Sequence, residues 1–287
     1  MTDQTDLVSK GFQEYINSHG FGFQHAVMAK ALEVYSLKSP WRYPVPEFPV
    51  KIQDANTRID VIFQHAMQPW FIVAECKRVN PSLGNWCFMG SSIYRDYEAS
   101  HGLILERQVF SEPSNYSEVF HPTSIAKVYF VAGEVKTNVK GDPCTSGRGA
   151  IEDAATQVLR SVNGLIEYLR SCPKVRNTMK HAVFVPVIFT TANLYVTDVD
   201  LQSADLLSGN IDVAKSLTKT DCVVYQYPQS PTFKHSLSVL PQLKKEDNVL
   251  IDSLYSEYVR SIMVVSASGI SDFLQWDLWR RIIPMSS

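Results

Sequence analysis

The stretch RIDVIFQHAMQPWFIVAECK, residues 58–77, decides the reading of this chain. Its two ends are apolar and β-branched, Arg58 to Gln64 and Trp70 to Arg78, and the short polar link His65 to Pro69 separates them. Runs of this kind around so short a link predict two antiparallel strands. Asp60 lies inside the first strand, where an unpaired carboxylate is costly to bury. Glu75 and Lys77 close the second, and the two-residue period of a strand sends both side chains to one face.

Fourteen residues separate Asp60 from Glu75, a spacing at which a hairpin can set two carboxylates side by side. Such a pair repels itself unless a divalent cation lies between them. Two carboxylates, the backbone carbonyl of Cys76 and several waters form an oxygen set suited to Mg²⁺ or Mn²⁺ rather than zinc. Lys77 would then place an ammonium beside an attacked phosphorus. The ordinary alternative is a solvated Glu75–Lys77 pair on an open sheet face, with Asp60 paired to Arg58 or Arg78.

Upstream, Phe12, Ile16, Phe23, Val27, Ala31 and Val34 recur at helical intervals, and Gly20-Phe21-Gly22 interrupts them, which predicts two helices. Prolines 40, 44 and 46 cannot continue a helix, so the chain is expected to enter a sheet with a strand from Phe48 to Gln53. Downstream, an aromatic-rich segment and a polar loop, about 84–126, read as an insertion. A strand over Lys127 to Lys136, a Gly/Pro loop and a long helix from Ala150 to Arg170 follow. His181 to Ala192 is continuously apolar, the pattern of a strand buried on both faces, with Tyr195-Val196 as its continuation. Beyond it a strand is expected at Asp221 to Tyr227, a helix at Asp247 to Ser261 and a last strand at Ile262 to Ser266, with Phe273, Leu274, Trp276 and Trp279 packing down on the body. Strands, then helix, then buried strand give an α/β layer arrangement in one domain over residues 1–287.

Lys+Arg at 27 nearly balances Asp+Glu at 29, so no global basic field attracts polyanions. Nucleic-acid binding would need a local patch or a bound metal. The five cysteines form no C-x-x-C pair, and no apolar run reaches the length of a membrane span, so a cytoplasmic protein without a membrane partner is expected. No G-x-S-x-G elbow or phosphate-cradling G-x-x-x-x-G-K-[ST] loop occurs, and the histidines are scattered without a transition-metal grouping.

Arg58-Ile59-Asp60-Val61, the short link and Phe71-Ile72-Val73-Ala74-Glu75-Cys76-Lys77 resemble the PD-(D/E)XK nuclease superfamily, the restriction-endonuclease-like fold. The resemblance spans about residues 22–192, with 193–287 as a C-terminal elaboration. It implies a mixed sheet, an antiparallel meander plus a final parallel strand, flanked by helices, and a Mg²⁺-dependent nuclease of a restriction, defence or repair system. DNA is the implied partner. Asp60 and Glu75 would hold metal and Lys77 would assist the nucleophile. The family's first-helix position falls on Gln24, where an acid is commoner, with Glu14 or Glu33 as substitutes; its second-helix position falls on Gln157. A rival motif, Glu134-Val135-Lys136, also ends a strand and directly precedes the Gln157 helix. The competing reading is a catalytically inactive nuclease-fold module that binds nucleic acid or a partner such as a motor or sensor protein. Paired strand cleavage calls for two active sites, which makes a homodimer the expected assembly of an active enzyme.

Overall fold

The computed structural model describes residues 4–18, 20–35, 39–42, 44–52, 55–79, 84–90, 103–110, 115–120, 127–136, 144–145, 149–172, 174–175, 179–197, 199, 205–213, 216–228, 259–275 and 279. It is an α/β protein with a mixed sheet of antiparallel and parallel strands flanked by helices. Helices α1 (Gln4–Ser18) and α2 (Phe21–Tyr35) meet at Gly20, whose φ of 76° is the left-handed turn that a glycine makes without strain.

Strands β1 (Val45–Ile52), β2 (Ala55–Gln64) and β3 (Trp70–Lys77) form the antiparallel meander. In the link between β2 and β3, buried His65 accepts the N–H groups of Met67 and Gln68 on Nδ1, and burial lowers its pKa to about 4. Strand β1 starts three residues earlier than the prolines suggest. It lies at the sheet edge and pairs only with β2, so the missing proline donors cost no ladder bond on its open side.

Strands β4 (Asn85–Met89), β5 (Leu105–Phe110), β6 (Asn115–Phe120), β7 (Val128–Tyr129), β8 (Val131–Lys136) and β9 (Cys144–Thr145) follow, then helix α3 (Gly149–Ser171). Strand β10 (His181–Thr190) lies parallel to β3, with Val187 beside Ala74 and Ile188 beside Glu75. It is buried on both faces as its apolar run requires: Val183, Val185, Val187 and Phe189 join Val27, Ala31 and Val34 of α2, while Ala182 and Phe184 join Val162, Leu165 and Ile166 of α3. Helix α3 closes on β1 at Gly164, where an added Cβ would stand 2.6 Å from Val50 Cγ2.

Three expectations need correction. Lys127 to Lys136 is two strands, not one: β7 joins the large sheet, and β8 joins a second, five-stranded sheet, where it lies between β4 and β9. Phe130 lies between them and donates its N–H to Met89, so the chain changes sheets within an unbroken apolar run. Tyr195-Val196 belongs to β11 (Asn193–Thr197), which joins that second sheet beside β12 (Thr218–Thr220) instead of prolonging β10. Val259 to Ser261 opens strand β14 (Val259–Ser266) rather than closing a helix; residues 247–258 of the expected helix lie outside the described residues.

The segments read as an insertion and an elaboration each contribute strands to both sheets. Strand β14 lies parallel to β10 and antiparallel to β13 (Cys222–Pro228). Strand β5 pairs with the first half of β10, and its buried Glu106 takes a 2.7 Å hydrogen bond from Arg260 of β14, also buried. After β14, a 3-10 turn (Ala267–Gly269) and helix α4 (Ile270–Phe273) lead to fully buried Trp279, which packs on Trp41 and donates from Nε1 to the Phe273 carbonyl. Trp276 lies outside the described residues. Among the described residues no helix is long and apolar enough to cross a membrane.

Candidate metal centre

Three neighbouring strands carry three carboxylates in one cross-strand row. The β2–β3 pairing ends with Val61 of β2 opposite Ala74 of β3, and Asp60 and Glu75 are the next residues on the two strands. On the other side, Pro46 faces Val61 and Phe48 faces Ile59, which sets Glu47 beside Asp60. The β1–β2 pairing runs on both sides of Glu47 and Asp60 but not through them. Glu47 has φ of 49°, a left-handed conformation that costs a non-glycine residue on the order of 1 kcal/mol. The two-residue alternation also breaks here: Ile59 packs on the α3 side of the sheet and Val61 on the α2 side.

Donors fill this break. Gln24, buried on α2, gives both Nε2 hydrogens, one to Glu47 Oε1 at 2.8 Å and one to the Asp60 carbonyl at 2.7 Å. The Asp60 carboxylate accepts the Cys76 N–H on Oδ2 at 2.7 Å. Asp60 is therefore held at its backbone and at its side chain by two different elements. Glu75 is 5% exposed, and its Oε2 has no hydrogen-bond partner.

The solvated alternative does not describe this arrangement. Glu75 is buried, Arg58 reaches Glu47 at 3.5 Å, and Arg78 donates to the Asn17 carbonyl, so neither arginine pairs with Asp60. Burial pushes the Asp60 carboxyl up to about 6, against the Cys76 N–H, which favours the ionised form. Burial, and then the charge of Asp60, pushes Glu75 up to about 8. Lys77, half-buried at the end of β3, is the cation that favours ionisation of both.

A buried carboxylate with an orphaned oxygen beside a second carboxylate fits a divalent oxygen-seeking cation. Among the described residues no three His, Cys, Asp or Glu side chains are set to enclose a metal, so the protein offers a pair and the remaining ligands would be backbone carbonyl and water. Mg²⁺ binds in this way, through one or two carboxylates with several waters retained.

The other candidate residues lie elsewhere. Glu134, on β8 of the second sheet, accepts the Ala150 and Ile151 N–H groups on Oε1 at 2.5 and 3.1 Å and so caps α3. Lys136 ends the same strand and pairs with Cys144 of β9. Gln157 is half-buried on α3 and makes no hydrogen bond to Asp60, Glu75 or Lys77 among the described residues. Glu14 is exposed on α1, and Glu33 is exposed and paired with Lys30. Trp41, Trp70 and Trp86 are buried core residues.

Sequence reasoning missed Glu47. The signal was an acidic residue between two prolines in Val45-Pro46-Glu47-Phe48-Pro49, one strand away from Asp60. Comparison of the chain with family models, with curated proteins and with solved structures returned no match.

Proposed function

We propose that this chain is a Mg²⁺- or Mn²⁺-dependent nuclease hydrolysing phosphodiester bonds in DNA, built on the restriction-endonuclease-like plan that its sequence resembles. One observation carries the reading: the Asp60 carboxylate is held on the N–H of Cys76, the residue after Glu75, and Glu75 Oε2 is buried without a partner. The order of elements supports it, since α2, the β1–β2–β3 meander, α3 and the parallel strand β10 follow one another as that plan requires, with β4 to β9 inserted before α3.

Asp60 and Glu75 are the proposed metal ligands, with the Cys76 carbonyl as a third. The bound cation would supply Lewis-acid polarisation of the scissile phosphoryl oxygen. Cys76 N–H and Gln24 hold Asp60 in place before any ligand arrives, which lowers the cost of organising the site. Burial and the Asp60 charge favour the protonated form of Glu75, and a bound cation would favour its carboxylate. Lys77 orients the attacking water and neutralises charge that develops on the phosphate.

The test is incubation of the full chain with plasmid and linear DNA in the presence of Mg²⁺ or Mn²⁺. Cleavage by wild type and none by Glu75→Ala is the expected result. Equal cleavage by both, or no cleavage by wild type, overturns the proposal. Wild type that binds Mn²⁺ and DNA without cutting would favour an inactive binding module.

A further inference from the structure

We infer that Gln24 is the positioning residue of this site, an amide required for its two hydrogens and not a weakened version of an acidic ligand. The inference rests on the proposed metal centre and adds what the residue on α2 does there. Both groups that Gln24 meets through Nε2 are acceptors, the Glu47 carboxylate and the Asp60 carbonyl. A carboxylate in its place would face two acceptors with no hydrogen to offer, inside a buried position against the Glu47 carboxylate and the Asp60 carbonyl. The position therefore calls for a donor with two hydrogens on one atom, which a glutamine amide supplies and an ionised glutamate does not.

The bonds lie where the sheet is weakest. Strand pairing between β1 and β2 lapses at Glu47 and Asp60, and Glu47 adopts a left-handed conformation. Gln24 bridges the lapse, tying the Glu47 side chain to the Asp60 backbone from α2. The Asp60 carboxylate then reaches the Cys76 N–H on the far side. Gln24 acts on the proposed ligand through its backbone, and Glu47 anchors the other end of the amide, with Arg58 beside it.

Mn²⁺ titration calorimetry and thermal unfolding of the full chain test this with four variants. Gln24→Glu and Gln24→Met are each expected to weaken Mn²⁺ binding by about tenfold or more, the range seen when groups that orient metal ligands are removed. Glu47→Gln keeps an acceptor for the Gln24 amide while removing a charge beside Asp60, so it should weaken Mn²⁺ binding less than either Gln24 variant does. The exchanged pair Gln24→Glu with Glu47→Gln restores a donor and an acceptor between the two side chains but leaves the Asp60 carbonyl without its amide. It should recover thermal stability relative to Gln24→Glu and not recover Mn²⁺ affinity, a split that a purely structural glutamine would not produce. Gln24→Glu binding Mn²⁺ as tightly as wild type or more tightly, or an exchanged pair that regains affinity together with stability, overturns the inference while the metal centre stands. If Gln24→Glu does not fold, Gln24→Met decides: affinity equal to wild type overturns the inference. Wild type that binds no Mn²⁺ overturns the metal centre and this inference together.

Discussion

Two strands in this molecule end in Glu-x-Lys, and their glutamates are buried to nearly the same degree, Glu75 at 5% and Glu134 at 4% exposure. Their surroundings are opposite. Glu134 faces the N-terminus of α3 and has two N–H groups on one oxygen, a cap that satisfies both the carboxylate and the helix. Glu75 has Asp60 as its neighbour and an oxygen with nothing to accept from. Identical tripeptide patterns thus serve as a helix cap in one sheet and as half of a carboxylate pair in the other. What separates them is the strand next door: β2 brings an acid to β3, whereas β4 brings Trp86 to Glu134.

The largest expected effect breaks the comparison at the proposed metal centre. Glu75→Ala should reduce DNA cleavage by about 10³-fold or more, the scale of removing a metal ligand from a hydrolytic site. Lys77→Ala should cost about 10²-fold, as loss of one charge-stabilising donor does. Glu134→Ala should leave the cleavage rate per folded molecule unchanged. Parallel measurement of plasmid cleavage rates by the three variants checks this, and a larger loss in Glu134→Ala than in Glu75→Ala would move the site to β8.

Next in size is the pH dependence of stability in metal-free protein. A carboxyl raised to about 8 in the folded state, against about 4.5 unfolded, binds its proton more tightly when folded. Folding stability should therefore be full below about 4.5 and decline as pH rises toward 8, by on the order of 1 kcal/mol per pH unit. Asp60, raised to about 6, adds a smaller loss of the same sign from about 4 upward. Urea unfolding at stepped pH should show the decline in wild type, a flatter curve in Glu75→Gln, and recovery above neutral pH when Mg²⁺ is added. A stability that rises through this interval would refute the buried pair.

The smallest effect lies at the other motif. Glu134→Ala removes a cap from two backbone donors and should cost about 1–2 kcal/mol of unfolding free energy. Mn²⁺ affinity should stay as in wild type. Denaturant unfolding and calorimetry on the same preparation give both numbers, and a large drop in Mn²⁺ affinity would make Glu134 part of the metal centre.

Much of this contrast is written in the local sequence. The strands at residues 58–64 and 70–77 were legible because alternation and one short link set their register, which runs up to the residues next to Asp60 and Glu75. The helix cap was not legible, since it depends on which turn of α3 comes to rest on β8. Nor was the role of Glu47: the strand was expected only from Phe48, after the proline-rich lead-in, and its earlier start through Pro46 is tolerated because β1 occupies an edge. The change of sheet at Phe130 escaped for a related reason, because apolar alternation reports that a residue is buried and not which sheet buries it.

The buried bond between Glu106 and Arg260 joins segments 154 residues apart, one from the apparent insertion and one from the apparent C-terminal elaboration. Neither segment is then a detachable module. Removing either segment alone would strand the other's charge in an apolar interior, at a cost of about 3–5 kcal/mol. A minimal version of this protein has to remove both partners in one step, and the additions on either side of β10 have to be gained or lost together.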